Sequence, residues 1–241
     1  MSLSALQEYT FNSKYARYLP EKKRRETWNE AVDRVKEMHL RRYPQITEEI
    51  NWAFEQVRQK KVLGSQRALQ FGGKAIEKKE ARIYNCCSSY CDRLRFFQEC
   101  FWLLLCGCGT GFSVQTHHIE KLPCFSQSWF EKSKKSRKIY VIQDSIEGWA
   151  DSLGVLLSSY FGGGDFPEYE GYEIIFDYSL IRPEGSLLAS SSGKAPGPKP
   201  LKKALDKIRE LLNSCLERSQ ESLRPIDAYD IVMHASDAVL S

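Results

Sequence analysis

The sequence predicts an α/β chain with an all-helical start, and two observations carry that prediction. Residues 1–62 place apolar side chains at helical spacing and contain no β-prone run. From residue 83 onward, short β-branched and aromatic runs alternate with helical segments, the pattern of strand–helix–strand units. The organisation that follows is a helical region over 1–62 and an α/β region over 63–241, with no internal repeat.

Each element has its own signal. Over 27–40, Trp28, Ala31, Val32, Val35 and Leu40 recur near helical spacing, with Thr27 as cap and Glu30 completing a capping box. Residues 47–61 repeat the pattern behind Thr47, with Ile50, Ala53, Phe54 and Val57 on one face. His39 falls in the last turn of the first of these helices, a place for a structural histidine. A turn-like Gly-Ser at 64–65 and Gly-Gly at 72–73 precede a short helix, "KAIEKKEAR". Then "IYNCC" (83–87) reads as a strand, 92–107 as a helix opened by Asp92, and "TGFSVQ" (110–115) as a strand. Further on, 138–143 reads as a strand, 144–161 as a helix capped by Asp144, and 171–183 as a strand. The Gly/Ser/Pro-rich stretch 183–200 is long for an idle connection, and helices are expected at 201–217 and 225–240.

Composition narrows the function classes. With 35 basic and 31 acidic residues the net charge is +4, too balanced to argue for nucleic acid. The dense cluster "KSKKSRK" (132–138) reads as a solvated loop. No run is long and apolar enough for a membrane span, and the N-terminus lacks a signal-peptide pattern, so a cytoplasmic protein is expected. Its eight cysteines are then thiols by default, and seven of them fall between positions 86 and 124.

Three chemistries compete for that region. The stretch "LLLCGCGTGFSVQ" (103–115) runs helix, glycines, strand, the reverse of the order a dinucleotide loop needs, and no Gly-Lys-Ser/Thr follows for a P-loop. It stays open between a backbone nest for phosphate and a tight turn. Zinc is disfavoured because no C-x2-C pair occurs, Cys100 and Cys106 lie in or beside an apolar helix, and His117 and His118 would point to opposite faces of a strand. A redox thiol fits better: Cys86, after Asn85 at the end of a short strand, is the candidate.

Several long stretches then carry a family resemblance. "KYARYLPEKKRRETWNEAVDRVKEMH" (14–39), "GSQRALQFGGKAIEKKEARIYNCC" (64–87), "FFQECFWLLLCGCGTGFSVQ" (96–115) and "DSIEGWADSLGVLL" (144–157) resemble the amino-terminal half of adenosylcobalamin-dependent ribonucleotide reductases. "FDYSLIRPEGSLL", "GKAPGPKPLKKAL" and "RPIDAYDIVMHASDAVLS" extend the likeness, which is strongest to the monomeric type that reduces triphosphates. The resemblance implies the first strands and helices of a ten-stranded α/β barrel behind the helical region, incomplete in this chain. It implies reduction of the ribose 2′-carbon by a cobalamin-generated thiyl radical, with two further cysteines supplying electrons.

The first reducing cysteine follows Asn in the family, which puts that role on Cys86, with the adjacent Cys87 as fallback. Cys108, Gly109 and Gly111 match positions that hold substrate phosphates through the backbone, and Ser65 and Asn85 match positions lining the substrate pocket. Asp92 falls near the residue that binds the deoxynucleotide effector. An insertion around 116–172 is expected in the monomeric type. The implied partners are a ribonucleoside triphosphate, a deoxynucleotide effector, a thioredoxin-like or dithiol reductant, and the carboxyl-terminal part of the reductase, which would bind most of the adenosylcobalamin. The family continues past "DAVLS" with a Gly-Gly-Val-Arg segment that this sequence lacks. An inactive truncated fragment that at most binds nucleotide or a complementary piece is therefore the alternative reading.

Overall fold

The computed structural model describes residues 3–131, 136–186, 188 and 194–240. Two compact units emerge, Met1–Asn85 with Leu187–Lys194, and Cys86–Ser186 with Ala195–Ser241. The first unit therefore runs on to Asn85, past the change of composition at residue 62. Residues 132–135 of the basic cluster, and Leu187 and 189–193 of the long Gly/Ser/Pro-rich stretch, lie outside the described residues.

The first unit is helical, as its periodicity dictates. Helix α1 (Leu3–Lys14) leads to a two-residue hairpin, β1 (Tyr18–Leu19) and β2 (Arg24–Arg25), and then to α2 (Trp28–Arg42). The capping box at α2 forms as expected: Thr27 Oγ1 accepts from the Glu30 amide while the Glu30 carboxylate accepts from the Thr27 amide at 2.8 Å. Helix α3 (Thr47–Arg58) corrects the expected cap. Thr47 is the first helical residue, and its hydroxyl instead donates to the Pro44 carbonyl at 2.8 Å, because a 3-10 turn over Pro44–Ile46 delivers the chain already wound.

Two short helices, α4 (Gln66–Phe71) and α5 (Lys74–Lys78), complete the unit and close a core of Val35, Met38, Leu69, Phe71, Ala75 and Ile76. The Gly72–Gly73 pair between them is forced. A Cβ at Gly72 would lie 2.3 Å from the Ala68 carbonyl oxygen, and Gly73 sits at φ +85°. The carboxylate of Glu26, 5% exposed, receives Arg34 through two nitrogens at 2.8 Å, and Arg34 also donates to the Leu69 and Gly72 carbonyls. One guanidinium thus ties α2 to α4 at a buried position.

The second unit contains two strand–helix–strand repeats with parallel pairing. Strands β3 (Cys86–Tyr90) and β4 (Gly109–Ser113) flank α6 (Arg95–Leu105), and β5 (Arg137–Val141) and β6 (Glu173–Asp177) flank α8 (Ile146–Tyr160). A short helix α7 (Thr116–Ile119) follows β4, and α9 (Lys199–Glu217) and α10 (Pro225–Leu240) finish the unit. The described strands make three separate two-stranded sheets, not a continuous stretch of barrel wall.

Helix α8 is buried from Gly148 to Tyr160 apart from Asp151, so it is covered on every side, as an all-round apolar helix must be. Phe96, Phe97 and Phe101 of α6, Leu153, Leu156 and Leu157 of α8, and Leu201, Ile208 and Leu212 of α9 share its core. Each such side chain contributes about 1.5–3 kcal/mol by leaving water. The polar tip of Tyr160 is satisfied inside this core: its hydroxyl donates to Asn213 Oδ1 at 2.6 Å, and its ring stacks on Trp129 at 4.2 Å.

Several local expectations are corrected here. The cap of α8 is Ser145, whose hydroxyl accepts from the Gly148 amide, while Asp144 pairs with Arg182 at 2.8 Å. His117 and His118 lie on α7, not on a strand, and their rings contact at 4.0 Å. Strand β3 begins at Cys86 and runs through Ser88, Ser89 and Tyr90, later than "IYNCC" suggested. Pairing with β4 overrides the weak strand preference of two serines.

Candidate functional site

The register of β3 and β4 sorts the candidate residues by face. Cys86 pairs with Gly109, Cys87 with Thr110, Ser88 with Gly111, Ser89 with Phe112 and Tyr90 with Ser113. Side chains alternate across a strand, so Cys86, Ser88, Gly109 and Gly111 share one face and Cys87, Ser89, Thr110 and Phe112 the other. The first face is exposed and the second half-buried.

The two adjacent cysteines therefore differ in kind. Cys86 is exposed and opens β3, at the start of the strand and not, as its sequence context suggested, at the end. Cys87 turns to the packed side, where its sulfur lies 3.6 Å from Cys108 Sγ and 3.6 Å from Thr110 Oγ1. Cys100 of α6 belongs to the same side, and burial pushes its thiol up to about 12, with the neighbouring Cys87 adding to the effect. Burial does the same to Cys91, aided by Asp92. Thiols held so far above neutrality stay protonated and unreactive. No disulfide forms among the described residues, and none of their His, Cys, Asp and Glu side chains gather in threes to hold a metal.

The glycine stretch resolves into two parts, and the expected turn over Gly109–Gly111 is corrected. The turn sits two residues earlier, at Gly107 with φ +85°, and Gly109–Ser113 is extended strand. Extended residues paired to β3 cannot converge their amides as a nest does. Cys108 is 2% exposed and its amide donates to the Leu103 carbonyl at 3.0 Å, so it is a packing residue and not, as expected, a backbone contact for phosphate. Gly111 is different. A Cβ there would meet nothing closer than the Cys87 carbonyl oxygen at 3.8 Å, so neither space nor backbone angle demands glycine. Glycine weakens a strand interior, and one use of such a position is to let a ligand or another backbone approach the sheet.

Ser65 and Asn85 belong to the first unit. Ser65 precedes α4 without using its hydroxyl to cap the helix, and Asn85 Oδ1 accepts from Arg67 Nε at 3.0 Å. Asp92, just past β3, pairs with Arg93 at 2.7 Å, which reaches on to Glu99 at 2.6 Å. Sequence reasoning missed the group at the carboxyl ends of β3 and β4. There Tyr90 packs on the His118 ring at 4.6 Å, and His118 Nδ1 lies 3.1 Å from Ser113 Oγ. Desolvation and the adjacent His117 lower the His118 pKa. No sequence signal could have found this group, because α7 read as strand continuation.

These features define a thiol-bearing α/β protein whose fold has a close counterpart. A solved B12-dependent (class II) ribonucleotide reductase superposes with a TM-score of 0.81 over 97% of this chain and 40% of that one, at 24% identity. Residues 118–212 match the family profile "B12-dependent ribonucleotide reductase, insertion domain". An adenosylcobalamin-dependent ribonucleoside-triphosphate reductase of Lactobacillus helveticus is 26% identical over 92% of this chain and 38% of its own length. A probable enzyme of the same description from Dictyostelium discoideum is 37% identical over 39% of this chain and 12% of its own length. Together these findings make the chain similar to the amino-terminal portion of class II ribonucleotide reductases. The chain spans about two fifths of the curated relatives it matches along its length.

Proposed function

We propose that this chain is the amino-terminal part of a ribonucleoside-triphosphate reductase and supplies one of the two thiols that reduce the ribose 2′-carbon. The observation that carries the reading is the separation of the cysteine pair. Cys86 stands on the exposed face beside Gly109 and near Gly111, whereas Cys87 is engaged behind the sheet by Cys108 and Thr110. In the overall reaction the 2′-hydroxyl leaves as water. Two thiols lose their hydrogens and join as a disulfide, which an external dithiol or thioredoxin-like protein reduces again. Cys86 is one of these thiols, and its partner lies elsewhere in the reductase. Ser65, Asn85, the backbone of Gly109 and the bare surface at Gly111 serve the substrate, and Asp92 serves a deoxynucleotide effector.

Adenosylcobalamin supplies the radical in this reading. Cavities of about 700 and 460 Å3 are formed within the first unit and one of about 390 Å3 lies between α6 and α8, and none of these three is lined by Cys86. In the same reading the cofactor's binding falls mainly to the carboxyl-terminal part of the reductase. A portion of the α/β barrel and a cytoplasmic setting belong to the same reading. None of the described helices is long and apolar enough to cross a membrane. The test is Cys86→Ser in the intact reductase. Turnover with an external dithiol should vanish while nucleotide binding persists, and full turnover would refute the assignment.

A further inference from the structure

The cavity of about 700 Å3 in the first unit has no part in the function proposed above, and neither Ser65 nor Asn85 lines it. It lies between α1, the β1–β2 hairpin, the start of α2 and the chain that follows α3. Its volume falls within the ~300–1,000 Å3 of small-molecule sites. Leu6, Val62 and Leu63 line it and are 49%, 55% and 52% exposed, so large apolar side chains stand in water around its mouth. Apolar side chains grouped around a concavity, unlike ones scattered singly, mark a binding surface.

The wall is aromatic and the rim basic. Trp28 is anchored by its indole N–H, which donates to the Arg58 carbonyl at 3.0 Å, and Phe11 meets its ring edge-on at 5.5 Å. The Lys60 ammonium stands 5.6 Å from the centre of the Trp28 ring. Arg24 is engaged by Glu30 at 2.7 Å, and Glu26 by Arg34 at 2.8 Å. Arg25 donates through Nη1 to the Ala16 carbonyl at 2.7 Å, and neither it nor Lys60 has a carboxylate partner among the described residues. Against these two cations the lining sets Glu8, which leaves a surplus of positive charge. A ligand that suits both parts has a flat apolar ring for the wall and an anionic group for the rim. A wholly apolar molecule would desolvate Arg25 and Lys60 without pairing them, and a bare inorganic anion would gain nothing from the aromatic wall.

We propose that this cavity is a binding site for an aromatic anion, a flat ring system that bears a phosphate, carboxylate or sulfonate group. Fluorescence titration of the protein with anilinonaphthalene sulfonate tests it, with neutral phenylnaphthylamine as the uncharged counterpart and thermal unfolding as a check on each variant. Lys60→Gln combined with Arg25→Gln should weaken the sulfonate about tenfold, the scale of one charge-assisted hydrogen bond, and leave the neutral probe unchanged. Lys60→Gln alone decides the matter if loss of the Arg25 bond to Ala16 unfolds the double variant. Val62→Asp, at a rim position that already stands in water, should weaken both probes. Wild-type sulfonate affinity in the charge variants, or an equal loss for both probes there, would overturn the anionic part. Wild-type affinity of both probes in Val62→Asp would put their binding elsewhere and overturn the site. Displacement of the sulfonate then reads the ligand's class: adenosine monophosphate carries its charge on phosphate, and indole acetate on carboxylate. Displacement by either supports the site, and displacement by neither overturns it.

Discussion

Gly111→Ala should make the protein more stable and a poorer binder of substrate. The added Cβ meets only the Cys87 carbonyl oxygen at 3.8 Å, an ordinary contact, and Gly111 is not among the residues with positive φ. Alanine loses less backbone freedom on folding than glycine, a gain of about 0.5–1 kcal/mol inside a regular element. For a chain of this size that corresponds to a rise of about 1–4 °C in Tm. The new methyl group stands on the exposed face that carries Cys86 and Ser88, one strand over from Ser88. If a nucleotide lies against that face, overpacking costs about 1–3 kcal/mol of binding, roughly 5- to 150-fold in Kd. Calorimetric unfolding and nucleotide titration of the same preparation read both effects. A fall in Tm of several degrees would refute the argument that glycine is locally unnecessary. A raised Tm with unchanged affinity would show that nothing approaches Gly111.

Three further outcomes are expected. Iodoacetamide under native conditions should modify Cys86 well ahead of Cys87 and the buried Cys91, Cys100 and Cys108, read by peptide mass spectrometry, and preferential labelling of Cys87 would reverse the assignment of faces. Glu26→Ala strands Arg34 at a buried position and should cost about 3–5 kcal/mol in denaturant unfolding, with a loss under 1 kcal/mol contradicting the buried-pair geometry. Asp227 is 3% exposed; burial opposes its charge, but Arg224 and Gln220 hydrogen bonds outweigh that and hold its pKa down to about 2 against an ordinary 3.8. Because the folded value is depressed, its stabilisation is complete above about pH 4 and fades as pH falls toward 2. Asp227→Asn should therefore cost about 2 kcal/mol at pH 7 and almost nothing at pH 2, and a pH-independent difference would discount the pairing.

Local code was legible wherever a side chain acts on its own turn. Thr27 and Glu30 announced the start of α2 because a capping box needs only residues three apart. Pro200 in the first turn of α9 and Pro225 at the first position of α10 mark helix starts in the same local way. The expected cap at Asp144 failed for a reason no local rule contains: its carboxylate is drawn to Arg182, 38 residues on, and Ser145 takes the cap. Strand limits failed similarly. Ser88 and Ser89 become strand only because β4 pairs with them, and "GTG" becomes strand only because β3 does.

The sequence by itself determined the helical start, the alternation that makes the second unit α/β, the concentration of thiols and the family resemblance, since these live in composition, spacing and residue order. Tertiary structure decided which of two adjacent cysteines is presented. Adjacent residues on a strand necessarily face opposite ways, but which way is outward depends on where α6 packs, and that is settled by parallel pairing across more than twenty residues. The same packing made Cys108 a core residue, moved the turn to Gly107 and left Gly111 bare beside the exposed thiol's strand.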